Sequence, residues 1–176
     1  MVDSVATVGQ SGDMPESASR SAFDEWLAFR GGASAVPREE QEMVRASVGD
    51  MPARNATEHA FDAEQLSMAK EALALVLDDI HRTTSLRPTV SVRCFYGVWI
   101  RIDDYEGSSL DAPDPQTMLR EVADYVQDFV LRGNSVWPGC SAHRTGLHAD
   151  LIHGAAVWRC RFGDHTVAVI GHLTQS

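Results

Sequence analysis

Two stretches of helical apolar spacing, each followed by a segment rich in β-branched and aromatic residues, predict an α+β domain with two principal helices and two β-hairpins. Two shorter helical patterns lie upstream of it, behind a run of Ser, Gly, Asp and Pro with no apolar period. The chain is therefore expected to divide into a flexible tail (1–19), a helical arm (20–57) and the α+β domain (58–176), whose last part, 136–176, is rich in Cys and His.

The tail cannot bury enough apolar surface to offset the entropy of ordering it. In the arm, Ser21 caps a helix through Arg30, Asp24 takes the capping-box position and Gly31-Gly32 ends it. Phe23, Trp26, Leu27 and Arg30 share one face of that helix. A second helix starts at Pro37, sets Glu39 and Glu40 against the positive end of its dipole, and runs toward Val48.

The first principal helix covers Asp62 to about His81, with Leu66, Ala69, Leu73, Val76 or Leu77, and Ile80 as its apolar stripe. After Pro88 the composition turns to β, and Tyr96-Gly97 suggests a hairpin of 89–95 and 98–103, or one strand bent at Gly97. An acidic loop follows. Asp114-Pro115 opens the second principal helix, which buries Leu119, Val122, Val126 and Phe129 or Val130 and stops at Gly133. An irregular loop (136–154) then leads to strands 155–162 and 166–170 about a Gly163-Asp164 turn.

The 176-residue chain carries 15 basic and 25 acidic side chains, a net charge of −10. The acidity is regional: net −4 over residues 1–57, −7 over 58–135 and +1 over 136–176. An acidic body excludes sequence-independent nucleic-acid binding, which needs a basic face. No apolar run reaches the roughly 18 residues of a membrane span. With three cysteines in no disulfide-framework spacing and no leader-like start, a reducing, cytoplasmic setting is the expectation. Among the bases 14 are Arg and Lys70 is the one Lys, a skew that fits a GC-rich coding sequence.

Five of the seven histidines and two of the three cysteines fall in the near-neutral last segment. The tightest grouping is Cys140-x2-His143, sixteen residues, then Cys160-x4-His165, with His148 and His153 as further candidates. Thiolate and imidazole suit tetrahedral zinc, and a close pair can present both ligands from one turn. The first pair falls on the Pro138-Gly139 turn and the second straddles the tip of the terminal hairpin. Cys160 also reads as a small apolar residue on the inner side of a strand shared with Ala156, Trp158 and Phe162, so an ordinary packed hairpin stands beside a structural zinc site.

The run Val136-Trp137-Pro138-Gly139-Cys140-Ser141-Ala142-His143, with His148, Trp158-Arg159-Cys160 and Ile170-Gly171-His172-Leu173, resembles the C-terminal segment of a group of small uncharacterised actinobacterial proteins. These share a WPxCPxH stretch, a further His, a WxC strand and an IGxL ending. The resemblance covers about forty residues, implies an actinobacterial source and marks Trp137, Cys140, His143, His148, Trp158 and Cys160 as pattern positions. This chain departs from it at Ser141, where Pro is usual, and at Arg161. It brings no function with it.

Other groupings carry less. Asp103, Asp104, Glu106, Asp111 and Asp114 form an acidic stretch whose spacing matches no calcium loop, although its field suits a basic protein partner. Asp78-Asp79-Ile80-His81 places carboxylates beside an imidazole, yet a helix end pairing them with His81 and Arg82 explains it as well. Cys94 reads as a core cysteine or a nucleophile. Phe23, Trp26 and Leu27 either dock in a partner's groove or fold onto the chain's own core. No G-x-S-x-G, P-loop or G-x-G-x-x-G occurs. The sequence thus points to a non-catalytic acidic binding or regulatory protein, an inhibitor, immunity factor or assembly subunit, with a zinc-stabilised C-terminal hairpin. Its rival is a metal-dependent hydrolase using the His/Cys cluster with Asp150 or Asp164 as base.

Overall fold

A computed structural model describes residues 16–50, 56–94, 97–103, 105–133 and 136–174. The chain forms two compact units that divide between Ala56 and Thr57.

The N-terminal unit holds α1 (Glu16–Phe29) and α2 (Arg38–Asp50). Residues 16–19, expected in the tail, are helical, because α1 begins one turn before Ser21; the rest of that tail lies outside the described residues. Phe23 and Trp26 pack with Val36 from the connection, and Leu27 and Val44 close against them. The Arg30 and Arg45 guanidinium groups lie over the Trp26 and Phe23 rings at 5.6 and 4.4 Å. Gln41 Nε2 donates to the Ala33 and Val36 carbonyls, both at 2.8 Å, which pins the connection. Of the two readings of this apolar face, docking on a partner or folding onto the chain's own core, the packing matches the second: Phe23 and Trp26 are buried in the unit's own small core at 2% and 5% exposure.

The second unit is α+β. Its elements run α3 (Ala56–Thr83), β1 (Val90–Cys94), β2 (Val98–Ile102), β3 (Tyr105–Leu110), α4 (Pro115–Arg132), β4 (Gly139–Cys140), β5 (Thr145–Gly146), β6 (His148–Ile152), β7 (Ala155–Cys160) and β8 (His165–Val169). Strands β1-β2-β3 and β6-β7-β8 form two antiparallel three-stranded sheets, and β4-β5 forms a two-stranded ribbon.

The first sheet has one strand more than the sequence suggested. Asp103 takes φ 46°, a left-handed conformation that Asp tolerates, and returns the chain along β2 so that Leu110 pairs with Val98. Residues 105–110 are thereby strand rather than acidic loop. Similarly, the loop expected over 136–154 contains β4, β5 and β6. β6 (HADLI) is too polar and short to announce itself, and it pairs residue by residue with β7 about the left-handed His153-Gly154 turn. Cys94 is half-buried at the end of β1.

Helix α4 shows why its sequence was readable. Asp114 caps it, accepting from the Gln116 and Thr117 amides at 2.9 and 3.0 Å, and Pro115 occupies the first turn. The Thr117 hydroxyl, then its amide, hold the Asp114 carboxyl below its usual value. The buried face of α4 (Met118, Leu119, Val122, Ala123, Val126, Val130) meets that of α3 (Ala69, Ala72, Val76, Ile80) in one core, with Val98, Ile100 and Ile102 of β2 and Ala156, Trp158 and Cys160 of β7.

Polar groups inside this core fix the C-terminal strands. Asp79 of α3 is fully buried, and its Oδ2 accepts from Trp158 Nε1 and the Gly171 amide, both at 2.7 Å. Its Oδ1 accepts from the Leu173 amide at 2.8 Å and Arg82 Nη2 at 3.0 Å. A carboxylate with four donors is the condition under which a buried charge is tolerated. Asp79 thus joins α3, β7 and residues 171–173, while exposed Asp78 meets Arg82 at 3.7 Å and His81 is exposed. Gln127 Nε2 donates to the Trp137 and Leu147 carbonyls at 3.2 and 2.6 Å, and Trp137 Nε1 donates to Thr83 Oγ1 at 2.8 Å. Among the described residues no buried side-chain polar atom lacks a partner.

Candidate metal centre

Both Cys/His pairs sit on turns. Cys140 ends β4, and the turn through His143 and left-handed Arg144 (φ 55°) closes with the Arg144 amide donating to the Cys140 carbonyl at 2.7 Å. Cys160 ends β7, and the turn through Gly163 and left-handed Asp164 (φ 50°) delivers His165 at the start of β8. Cys140 and Cys160 are buried, and the imidazoles are half-buried.

The four ligand atoms all lie within 4.8 Å of one another, close enough to hold one metal ion. Cys140 Sγ is 3.6 Å from His143 Nδ1 and 3.7 Å from His165 Nε2, and Cys160 Sγ is 3.5 Å from His143 Nδ1. Metal–sulfur and metal–nitrogen bonds of about 2.3 and 2.05 Å at a tetrahedral angle place S and N about 3.6 Å apart. All three separations match that edge. Hydrogen bonding explains them less well, since a ring nitrogen has either one proton or one lone pair and His143 Nδ1 stands equally near two sulfurs.

The surroundings prepare the ligands. His165 Nδ1 lies 3.3 Å from the Gly163 carbonyl, which needs a proton on Nδ1 and so leaves the Nε2 lone pair for a metal. Burial resists ionisation of Cys160. The Gly163 amide, the Thr145 hydroxyl (3.7 Å), the Cys140 thiol and the Phe162 amide outweigh it and hold the Cys160 thiol below its ordinary value. Gly163 is itself required, because a Cβ there would stand 2.1 Å from His143 Cε1 and 2.8 Å from His165 Nδ1.

Of the six candidate ligands read from sequence, the structure brings together Cys140, His143, Cys160 and His165, and His148 and His153 stay out. Strand alternation sends Leu147 and Ala149 into the core and leaves His148 exposed on β6. His153 serves the β6–β7 turn instead. Phe162, expected on the inner side with Cys160, is 78% exposed with its ring 5.3 Å from that of His143, because β7 ends at Cys160. The candidate bases Asp150 and Asp164 both bind Arg159, Asp150 at 3.4 Å. Of the acidic residues proposed to meet a partner, Asp103 is engaged locally: its carboxylate accepts from the Thr89 amide at 2.8 Å and its own amide donates to the Thr89 carbonyl. Asp104 lies outside the described residues, and Glu106 falls on β3.

Gly163 was read as a turn residue, but its close approach to the two imidazoles and the role of Thr145 escaped sequence reading. A glycine inside the second Cys-x4-His interval was the available signal for Gly163. Thr145 had none, since its role depends on β5 meeting Cys160 at the end of β7, in a different sheet.

Compared with protein-family models, curated proteins and solved structures, the chain matches none. Among the described residues no helix is long and apolar enough to cross a membrane.

Proposed function

We propose that the protein is a non-catalytic binding or regulatory protein, of the kind that inhibits, neutralises or assembles with a basic partner, and that zinc stabilises its C-terminal strands. The observation that carries this reading is the number and kind of ligands: two thiols and two imidazoles from two turns supply the four ligands of a structural tetrahedral zinc site, which leaves no position for water or substrate. Catalytic zinc sites keep one position open. Two soft sulfur and two imidazole ligands favour zinc over oxygen-preferring cations. Binding of Asp150 and Asp164 by Arg159 further weakens the case for a hydrolase, since a general base needs a free carboxylate beside the metal. The net charge of −10 supports a partner of basic character.

Metal content and turnover together test this. The full chain should carry one zinc ion, lose it on Cys140→Ala, and hydrolyse p-nitrophenyl acetate or phosphate no faster than buffer. Zinc-dependent turnover abolished by Cys160→Ala would establish the hydrolase instead, and equal, negligible metal in both proteins would remove zinc from the account.

A further inference from the structure

A cleft of about 1050 Å³ lies within the second unit, and it is separate from the four ligands. Its floor is a flank of α4 (Glu121, Asp124, Tyr125, Asp128, Leu131), at the three- and four-residue spacing that lines one side of a helix. One wall is Ser108–Leu110 of β3, an edge strand of the first sheet. The other wall comes from residues beside the metal ligands: Val136 and Trp137 before Cys140, Thr145–His148 after His143, and Arg161 and Phe162 after Cys160. The cleft thus borders edge strand β3 along Ser108–Leu110 and edge strand β6 at its first residue, His148.

Two properties of this cleft select an occupant. It presents exposed apolar side chains, with Phe162 at 78%, Val136 at 67% and Leu131 at 43%, a grouping that marks interaction surfaces. It is also acidic: Asp111, Glu121, Asp124 and Asp128 face it against Arg161 and His148, with Arg120 paired to Glu121 at 3.5 Å and to Asp124 at 2.7 Å. Burial raises the Asp124 carboxyl above its ordinary value despite the Arg120 guanidinium 2.7 Å away. Nucleic acid is repelled by such a rim. A ligand with both apolar and basic groups matches it, and the β3 edge offers main-chain hydrogen bonds to an extended chain.

From this combination we infer that the cleft between α4, β3 and the metal-bearing turns binds an extended peptide segment in which Arg or Lys alternates with apolar residues. This rests on the proposed binding function and names its partner class. Phe162 and Val136 hold the apolar side chains, and Asp124 and Asp128 hold the basic ones. Because Cys160 and His165 bracket the turn that carries Arg161 and Phe162, metal binding fixes one wall of the site.

Selection from a displayed library of random peptides of about seven residues, which span roughly 23 Å when extended, tests this on the zinc-loaded full chain. The expected result is enrichment of Arg or Lys flanked by apolar residues. A synthetic copy of a selected peptide should bind roughly tenfold more weakly to Asp124→Asn/Asp128→Asn, and similarly to Phe162→Ser. Recovery of no peptide, of peptides without basic enrichment, or of peptides that bind the double variant equally well overturns the proposal. Displacement of the peptide by spermidine at equal affinity would make the site one for small polyamines and likewise overturn it. Zinc is counted in the same samples. A zinc-loaded chain that selects no basic peptide defeats the cleft alone, whereas a zinc-free chain that selects them defeats the zinc reading alone.

Discussion

The two three-stranded sheets are alike in topology and differ in what holds them. In the first, β2 alternates strictly, burying Val98, Ile100 and Ile102 between β1 and β3, so side-chain burial is enough to fix its strands. In the second, central β7 is buried but β8 exposes most of its side chains, leaving little apolar surface to secure that edge. Directed polar contacts replace the missing burial. Asp79 binds the chain just beyond β8, and the Cys/His cluster joins the β4–β5 ribbon to the β7–β8 turn. A hydrophobic sheet needs no ligand; a sheet with one wet strand and two tight turns gains from a metal crosslink.

That contrast can be broken experimentally. Stripping the proposed zinc with a chelator should have the largest effect, costing several kcal/mol and lowering Tm by roughly 10 °C or more. Amide exchange should accelerate over 139–147 and 160–169 and stay nearly unchanged over 90–110. Uniform acceleration would mean that the sheets do not differ as described. Next comes Asp79→Ala, which leaves the Trp158 indole and two amides unpaired in the core and should cost about 3–5 kcal/mol, with or without zinc. Equal stability of variant and wild type in urea titration would show that the carboxylate is dispensable.

A smaller and more selective effect belongs to Gly163→Ala. The added methyl displaces His143 and His165, so zinc affinity should fall roughly 10–100-fold while the metal-free protein keeps its Tm. Competition against a chromophoric chelator measures the first and calorimetry the second. The smallest effect tests the cleft. Because burial lifts the folded Asp124 carboxyl above its unfolded value of 3.8, the ionised form costs stability at neutral pH, and that cost disappears below pH 3.8. Asp124→Asn should therefore be at least as stable as wild type at neutral pH, with the difference shrinking toward zero as the solution is acidified. A neutral-pH loss that persists in acid would contradict this.

Local chemistry decided how much of this was legible in the sequence. The α+β class and both principal helices were readable because their signals lie within one turn: Asp114-Pro115 at the start of α4, and the Leu73, Val76 and Ile80 spacing in α3. Four of the six candidate ligands form the cluster and could be picked out because close Cys/His pairs fall on turns. The rest depended on partners distant in sequence. Asp79 looks like half of an acid–base pair until Trp158 and Gly171, 79 and 92 residues away, are placed against it. β3 was hidden because Ser and Gly occupy positions where its edge needs no apolar face. His148 resembles a ligand by proximity alone, and strand alternation turns it away.

Cys140, His143, Cys160 and His165 are proposed to build one closed S2N2 centre. Cobalt(II) titration of the metal-stripped full chain tests it most directly. The predicted spectrum is that of tetrahedral cobalt with thiolate-to-metal charge transfer, complete at one equivalent, abolished by Cys160→Ala and unaffected by His148→Ala. An octahedral spectrum, or a tetrahedral one lost with His148 and kept without His165, would contradict it.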